Sequence, residues 1–258
     1  TDDIMEAIDV KSGDQEMYED FARFQLSTLD ELAEGEDSSS VAAISQKVIM
    51  GLYEYCHDFE LGISVNDICN LVCGHCYYAS THRKDLERKS GLLSLNDWKR
   101  IVNEALSVRG IRHFSVIGKE PLATPELTSG ILHQLEEAKN RDHRINYEMV
   151  TNGTLIEGNT DWLKDLDFHF FSISFDGYKQ DHDKVRGERS YERSRKGLEL
   201  AGGLGIDRLT VTHTAMPHNV DSLDRMVDDL ASAGARYFSI GFCFPTEHNK
   251  QELSASVD

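Results

Sequence analysis

From residue 59 onward, short runs rich in β-branched and aromatic residues alternate with longer stretches whose apolar positions recur every three or four residues. The short runs predict strands at 59–65, 113–117, 145–151, 168–175, 209–215 and 237–244. The longer stretches predict helices at 95–109, 124–140, 160–166, 191–204 and 222–233. A chain that alternates strand and helix in this way predicts parallel strands joined by right-handed crossovers. Six such units are too few for a closed eight-stranded barrel, so the expected fold is α/β, a partial (β/α)6 barrel of parallel strands. In parallel barrels the chemistry gathers where strands end at their C-terminal edge, so the residues that follow each strand are the candidates.

Residues 1–57 follow a different pattern. Apolar residues at helical spacing predict helices at 16–32 and 41–55. Glu34, Glu36 and Asp37, which with Glu31 form an acidic cluster, and the break Ser38-Ser39-Ser40 lie between them. We expect two parts: an acidic helical prefix over 1–57 without catalytic motifs, and a barrel domain over 58–258.

Charge narrows the partners. The 258 residues include 45 acidic and 27 basic side chains, a formal net charge of −18. A surface that negative repels phosphate backbones, which argues against nucleic acid. No run reaches the ~18 consecutive apolar residues of a membrane span. The start, Thr1-Asp2-Asp3, lacks the basic-then-apolar layout of a secretory signal. The expected location is the cytoplasm, without a membrane partner.

The five cysteines change the picture most. Cys56, Cys69, Cys73, Cys76 and Cys243 are odd in number, and three fall within eight residues. A disulfide framework spreads pairs along a chain, so this clustering points to metal in a reducing compartment. Spacings of four and three residues in a loop after the first strand bring three thiolates together, and soft thiolates select zinc or iron–sulfur clusters. Zinc would need a fourth ligand, which His75, His57 or Cys56 could supply. A three-cysteine iron–sulfur site leaves one iron open, which suits a catalyst. The spacing favours the cluster, with zinc as the alternative.

Cys69-x-x-x-Cys73-x-x-Cys76 directly after a first strand resembles the signature of the radical S-adenosylmethionine superfamily. The resemblance implies a 4Fe–4S cluster on Cys69, Cys73 and Cys76, with S-adenosylmethionine chelated at the open iron. His75 stands where the family usually has Tyr or Phe; Tyr77 and Tyr78 follow. Gly118-Lys119-Glu120-Pro121 is similar to the family's Gly-Gly-Glu-Pro turn, with Lys119 in place of a glycine, facing either the cofactor or solvent. Glu120 matches the acidic position, where a side chain or carbonyl receives the methionine ammonium. Thr151-Asn152-Gly153 and the pair Ser174-Phe175-Asp176-Gly177 and His182-Asp183-Lys184-Val185-Arg186-Gly187 resemble further cofactor motifs. By resemblance, Ser174 and Asp176 sit near the ribose and methionine, and Arg186 meets the methionine carboxylate, where a planar guanidinium binds in bidentate fashion. Asn219 matches a common asparagine after the fifth strand.

Strand parity adds an independent reading, because residues two apart share a face. Ser172, Ser174 and Asp176 form a small polar face suited to a ligand-lined interior. On the last strand Ser239, Gly241 and Cys243 share the inner face, so Cys243 is a candidate hydrogen-atom donor or substrate contact. Glu148 shares parity with Asn152 and is a second catalytic candidate. His213 lies opposite Thr210, Thr212 and Thr214 and reads as a packing histidine.

The implied reaction begins with one electron from a flavodoxin or ferredoxin. It cleaves S-adenosylmethionine to methionine and a 5′-deoxyadenosyl radical, which takes a hydrogen atom from substrate. The motif set resembles the branch of peptide-modifying maturases, so the substrate is a peptide or a small molecule, and the acidic prefix could grip a basic peptide. No cysteine follows Cys243, so auxiliary clusters are not expected within this stretch. Two other classes stand beside this reading: a metal-bearing binding protein without S-adenosylmethionine cleavage, and an iron–sulfur electron carrier.

Overall fold

The computed structural model describes residues 59–76, 92–108 and 110–243. The predicted prefix, with Cys56 and His57, lies outside the described residues, as do Tyr77, Tyr78, Arg109 and Phe244.

The strands are β1 (Phe59–Ser64), β2 (Ile111–Ile117), β3 (Asn146–Thr151), β4 (Phe170–Ser174), β5 (Leu209–Ala215) and β6 (Tyr237–Phe242). They form one parallel sheet in the order β1-β2-β3-β4-β5-β6, as the alternation predicted. Helices α1 (Leu95–Ser107), α2 (Pro125–Arg141), α3 (Thr160–Leu163), α4 (Gln180–Arg186), α5 (Ser190–Gly203) and α6 (Leu223–Ser232) connect them. All strand C-termini therefore reach one edge of the sheet, where the intervening turns can share a site.

The two faces of the sheet differ as parity predicts. Phe114, Val116, Tyr147, Met149, Phe171, Ile173, Leu209 and Val211 point to the helices. There they join Val102, Ile131, Leu132, Leu135, Leu198, Met226 and Leu230 in one buried cluster. Each such side chain contributes about 1.5–3 kcal/mol by leaving water. The other face carries smaller or polar residues, among them Gly62, Ser115, Ser172, Thr210 and Thr212. That face lines the lumen. His213 is buried on the helix side, its Nδ1 donating to the Phe175 carbonyl at 3.0 Å, in keeping with a packing role.

Local sequence fixes where the elements begin. Ser94 caps α1, accepting from the Asp97 amide while the Asp97 carboxylate accepts from the Ser94 amide. Pro125 opens α2, where a missing amide hydrogen is harmless. After β3 the chain turns through Gly153 at φ +78°, a region glycine enters without strain. Helix α5 packs on this turn so closely that a Cβ at Gly197 would run into the Gly153 carbonyl oxygen. Helix α4 was not among the predicted helices: it is two turns long, too short to show an apolar period. No helix among the described residues is long and apolar enough to cross a membrane.

Candidate active site

The chain leaves β1 into the cysteine loop, and hydrogen bonds from neighbouring turns hold that loop in place. Asn66 Nδ2 donates to the Glu120 carbonyl at 2.9 Å and to Thr124 Oγ1 at 2.7 Å, while its Oδ1 accepts from the Ile68 amide. The Glu120 amide in turn donates to the Ile68 carbonyl at 3.0 Å. Farther along, the Gly74 amide donates to the Val185 carbonyl at 2.9 Å, which ties the loop to α4. Asn152 Nδ2 donates to Asn70 Oδ1 at 2.9 Å and lies 3.8 Å from Cys69 Sγ. Sulfur at such distances accepts a weak hydrogen bond.

Cys69, Cys73 and Cys76 all line one cavity of about 440 Å³ at the C-terminal edge of the sheet. Every strand contributes to its wall, directly or through the turn after it: Ile117 from β2, Val150 from β3, Ser174 from β4, Thr214 from β5 and Phe242 from β6. The volume suits a drug-sized ligand. Of the residues singled out from the sequence, His75, Gly118, Lys119, Asn152, Ser174, Arg186 and Cys243 face this cavity together with the three cysteines. Lys119 is thus on the cavity wall.

Three expected site residues stand elsewhere. Glu120 is fully buried behind the wall. Its carboxylate accepts from Thr151 Oγ1 at 2.6 Å, the Asn152 amide at 2.7 Å and the Leu122 amide at 3.0 Å. With three acceptor positions taken up in this way, it braces the turns after β2 and β3. Burial pushes its carboxyl up, against those three bonds.

Asp176 is also fully buried and does not line the cavity. Strand β4 ends at Ser174, so the parity that grouped Asp176 with Ser172 and Ser174 no longer applies there. Its Oδ2 pairs with Arg186 Nε at 2.5 Å and with His75 Nε2 at 3.3 Å, and its Oδ1 accepts from the Thr214 amide at 2.9 Å. Burial opposes this charge, yet the Arg186 guanidinium and then His75 prevail and hold the carboxyl at about 2. The Asp176 amide donates to His182 Nδ1 at 3.1 Å, and Asn219 Nδ2 donates to its carbonyl. Burial, reinforced by Arg186, lowers His182 to about 3, so that ring is a neutral acceptor at Nδ1. His182 and Arg186 are four residues apart on α4 and share one face toward Asp176.

Glu148 is the third correction. It does share the lumen face, but it lies nearer the N-terminal end of β3 than Val150, the residue that reaches the cavity. There it accepts from Ser115 Oγ at 2.9 Å and faces His113.

Burial also acts on the donor atoms themselves. Burial pushes the Cys73 thiol up to about 12 and raises Cys69 as well, so both are protonated until metal displaces the protons. Four tetrahedral bonds of 2.3 Å to a single zinc ion would bring sulfurs to about 3.8 Å apart. Among the described residues, the three cysteine sulfurs do not form a set within 4.8 Å of one another. Above the cysteines, the buried His75 Nδ1 has no hydrogen-bond partner among the described residues.

Sequence reasoning gave no role to Asn66, Asn70 or His182. The asparagines flank the first cysteine in the polar stretch after β1, and that position was their one available signal. His182 sat in a quoted motif, but its contact with the Asp176 amide depends on the unforeseen helix α4.

Comparison with known proteins agrees with this geometry. Among curated proteins, the probable GTP 3′,8-cyclase of Methanococcus maripaludis strain S2 is 28% identical over 175 residues, covering 67% of this chain and 55% of the relative. GTP 3′,8-cyclase 1 of Mycobacterium tuberculosis is 28% identical over 163 residues, covering 61% and 43%. The chain thus spans about half the length of the curated relatives it matches. Among solved structures, Streptococcus suis SuiB bound to its precursor peptide SuiA superposes with a TM-score of 0.65 at 18% identity, over 87% of this chain and 48% of that one. The enzyme anSMEcpe with bound AdoMet gives a TM-score of 0.59 at 20% identity, over 71% and 52%. These structures share the fold. The model of the Radical SAM superfamily matches residues 63–230, from within β1 into α6, and the chain belongs to that superfamily.

Proposed function

We propose that this chain is the barrel core of an enzyme that cleaves S-adenosylmethionine reductively and takes a hydrogen atom from a peptide. Superfamily membership implies a 4Fe–4S cluster used with S-adenosylmethionine. The observation that carries the proposal is one cavity wall that holds Cys69, Cys73 and Cys76 beside Gly118, Lys119, Asn152, Ser174 and Arg186. The residues fit the group: three free thiols on one cavity wall, with amide and guanidinium donors next to them.

In this reading Cys69, Cys73 and Cys76 give up their protons and hold the cluster, and Asn152 donates its amide hydrogen to Cys69 Sγ. A cluster held there would supply the electron for reductive cleavage of S-adenosylmethionine, and with it the power to abstract hydrogen. Arg186 keeps Nε on Asp176, which leaves its terminal nitrogens for a carboxylate in the cavity. Gly118 lets the backbone pass close by: a Cβ there would sit 3.1 Å from Asn66 Oδ1. Ser174, whose hydroxyl accepts from Thr212 Oγ1 at 3.2 Å, presents a small polar group to a sugar hydroxyl. Cys243 faces the same space from β6 and is the candidate donor of a hydrogen atom to substrate. Leu71, Ile117 and Val150 supply apolar wall, with the exposed Phe242 at the rim. A flavodoxin or ferredoxin is the proposed electron source.

A peptide is favoured by the chain's acidity, since a net charge of −18 repels a triphosphate and suits a basic segment. The likeness to GTP 3′,8-cyclases supports GTP as a second reading. The test is anaerobic reconstitution with iron and sulfide, then dithionite and S-adenosylmethionine, with chromatography for 5′-deoxyadenosine. Its formation, and its loss in Cys73→Ala, is the expected result. A well-formed cluster that yields none would leave the metal-bearing binding protein as the better reading. Stimulation by GTP, and not by basic peptides, would replace the peptide with the nucleotide.

A further inference from the structure

The lumen has a second end, and a second set of donors occupies it. Glu60, His113 and Glu148 come from three adjacent parallel strands and project from the same face of the sheet. Glu60 and His113 are register partners, and Glu148 is the partner of Ser115 on the same strand as His113. One ligand atom from each lies within 4.8 Å of the other two. His113 Nε2 stands 3.7 Å from Glu148 Oε2, beyond hydrogen-bond range yet open to an ion between them.

From this arrangement we infer a divalent-cation site at the N-terminal end of the barrel, separate from the cysteine cavity, with Glu60, His113 and Glu148 as ligands. Bonds of about 2.1 Å at tetrahedral or octahedral angles place ligand atoms roughly 3.0–3.4 Å apart. The present spacing reaches that with side-chain shifts on the order of 1 Å. The donor set, one imidazole and two carboxylates, suits Mn²⁺, Fe²⁺ or Zn²⁺ and leaves positions for water or a ligand.

The supporting shell is present. Ser115 Oγ donates to Glu148 Oε1, which turns Oε2 toward His113. His169 packs edge-on against the His113 ring, with centroids 5.4 Å apart and planes at 81°, and limits how that ring can rotate. Groups behind metal ligands set their orientation in this way. Four residue steps along β2 take His113 to Ile117 at the cysteine cavity, about 13 Å along the strand. The two sites are therefore distinct.

Mn²⁺ tests the inference, because a hard ion avoids thiolates and reports on carboxylate and imidazole donors. Mn²⁺ is added to the anaerobically reconstituted protein, and the free six-line electron paramagnetic resonance signal is followed. The expected result is saturable binding of one ion per chain, weakened about tenfold or more in Glu148→Gln and in His113→Gln. Ser115→Ala keeps all three ligands and should weaken binding by a smaller factor, so it reads the site even if a ligand variant folds poorly. A free signal undiminished in the unaltered protein, or binding unchanged in these variants, overturns the site.

Discussion

Two buried carboxylates stand behind the cavity wall, and they solve the same problem in opposite ways. Glu120, in the turn after β2, is surrounded by neutral donors: one hydroxyl and two backbone amides. Asp176, in the turn after β4, is surrounded by charge, with Arg186 on one oxygen and His75 beside it. Burial raises the carboxyl of Glu120, while Asp176 is held at about 2. The half of the wall built on Glu120 is therefore a hydrogen-bonded brace, and the half built on Asp176 is an ion-pair brace. Breaking a neutral brace costs the unsatisfied donors, whereas breaking a buried ion pair leaves a stranded charge.

The largest expected effect follows from that difference. Asp176→Asn leaves the buried Arg186 guanidinium without its counter-charge and should cost about 3–5 kcal/mol, read from urea unfolding midpoints. A loss as small as that of an exposed pair would show that water already screens Arg186. On the Glu120 side, Gly197→Ala drives a methyl into the Gly153 carbonyl and should cost about 3 kcal/mol by thermal melting. Glu120→Gln keeps the shape but turns a donor toward the Asn152 amide, or toward Thr151 if flipped, and should cost about 2 kcal/mol. If it matches Asp176→Asn, the contrast between neutral and charged braces fails.

The smallest effect is a pH dependence, and it separates the two braces by window. His182 has its pKa lowered to about 3, below the usual value near 6.5. The unfolded chain therefore binds a proton there that the folded chain refuses, and stability falls as pH drops from about 6.5 toward 3. Between pH 7 and 6 this single group should remove about 0.7 kcal/mol. That part of the slope should vanish in His182→Gln. Asp176, also depressed, contributes stability present above its unfolded value near 3.9 and lost only as pH falls toward about 2. Urea titrations at several pH values would show the histidine step first and the aspartate step last, with no matching step from Glu120, whose carboxyl is raised.

Much of this was legible in the sequence, for reasons that residues such as Ser172 and Ile173 make plain. Strand alternation and helical periodicity report burial, and burial organises the sheet, so the number, order and direction of the strands followed. The cysteine spacing and the four turns were legible because their positions relative to the strands were already fixed. Other features needed coordinates. Parity placed Glu148 in the lumen correctly but carries no information about height along the strand, so its end of the barrel was missed. It also fails once a strand stops, which is why Asp176 turned out to brace the wall from behind. Residue type cannot tell a ligand from a brace: Glu120 and Asp176 have the same chemistry as ligand carboxylates, and only their hydrogen bonds reveal the difference. Helix α4 is seven residues long, below the length at which periodicity speaks.

The thiols of the cysteine loop have one more consequence, for how the protein endures before it is useful. With burial pushing Cys73 up to about 12, its thiol is protonated at pH 7. Alkylating agents and peroxides attack thiolates, so this residue keeps its sulfur inert while it waits. The same burial makes maturation a proton-releasing event, faster in mildly alkaline solution and stalled by acid. In the proposed reading, the Cys73 sulfur thus reacts slowly with oxidants until a cluster is assembled on it.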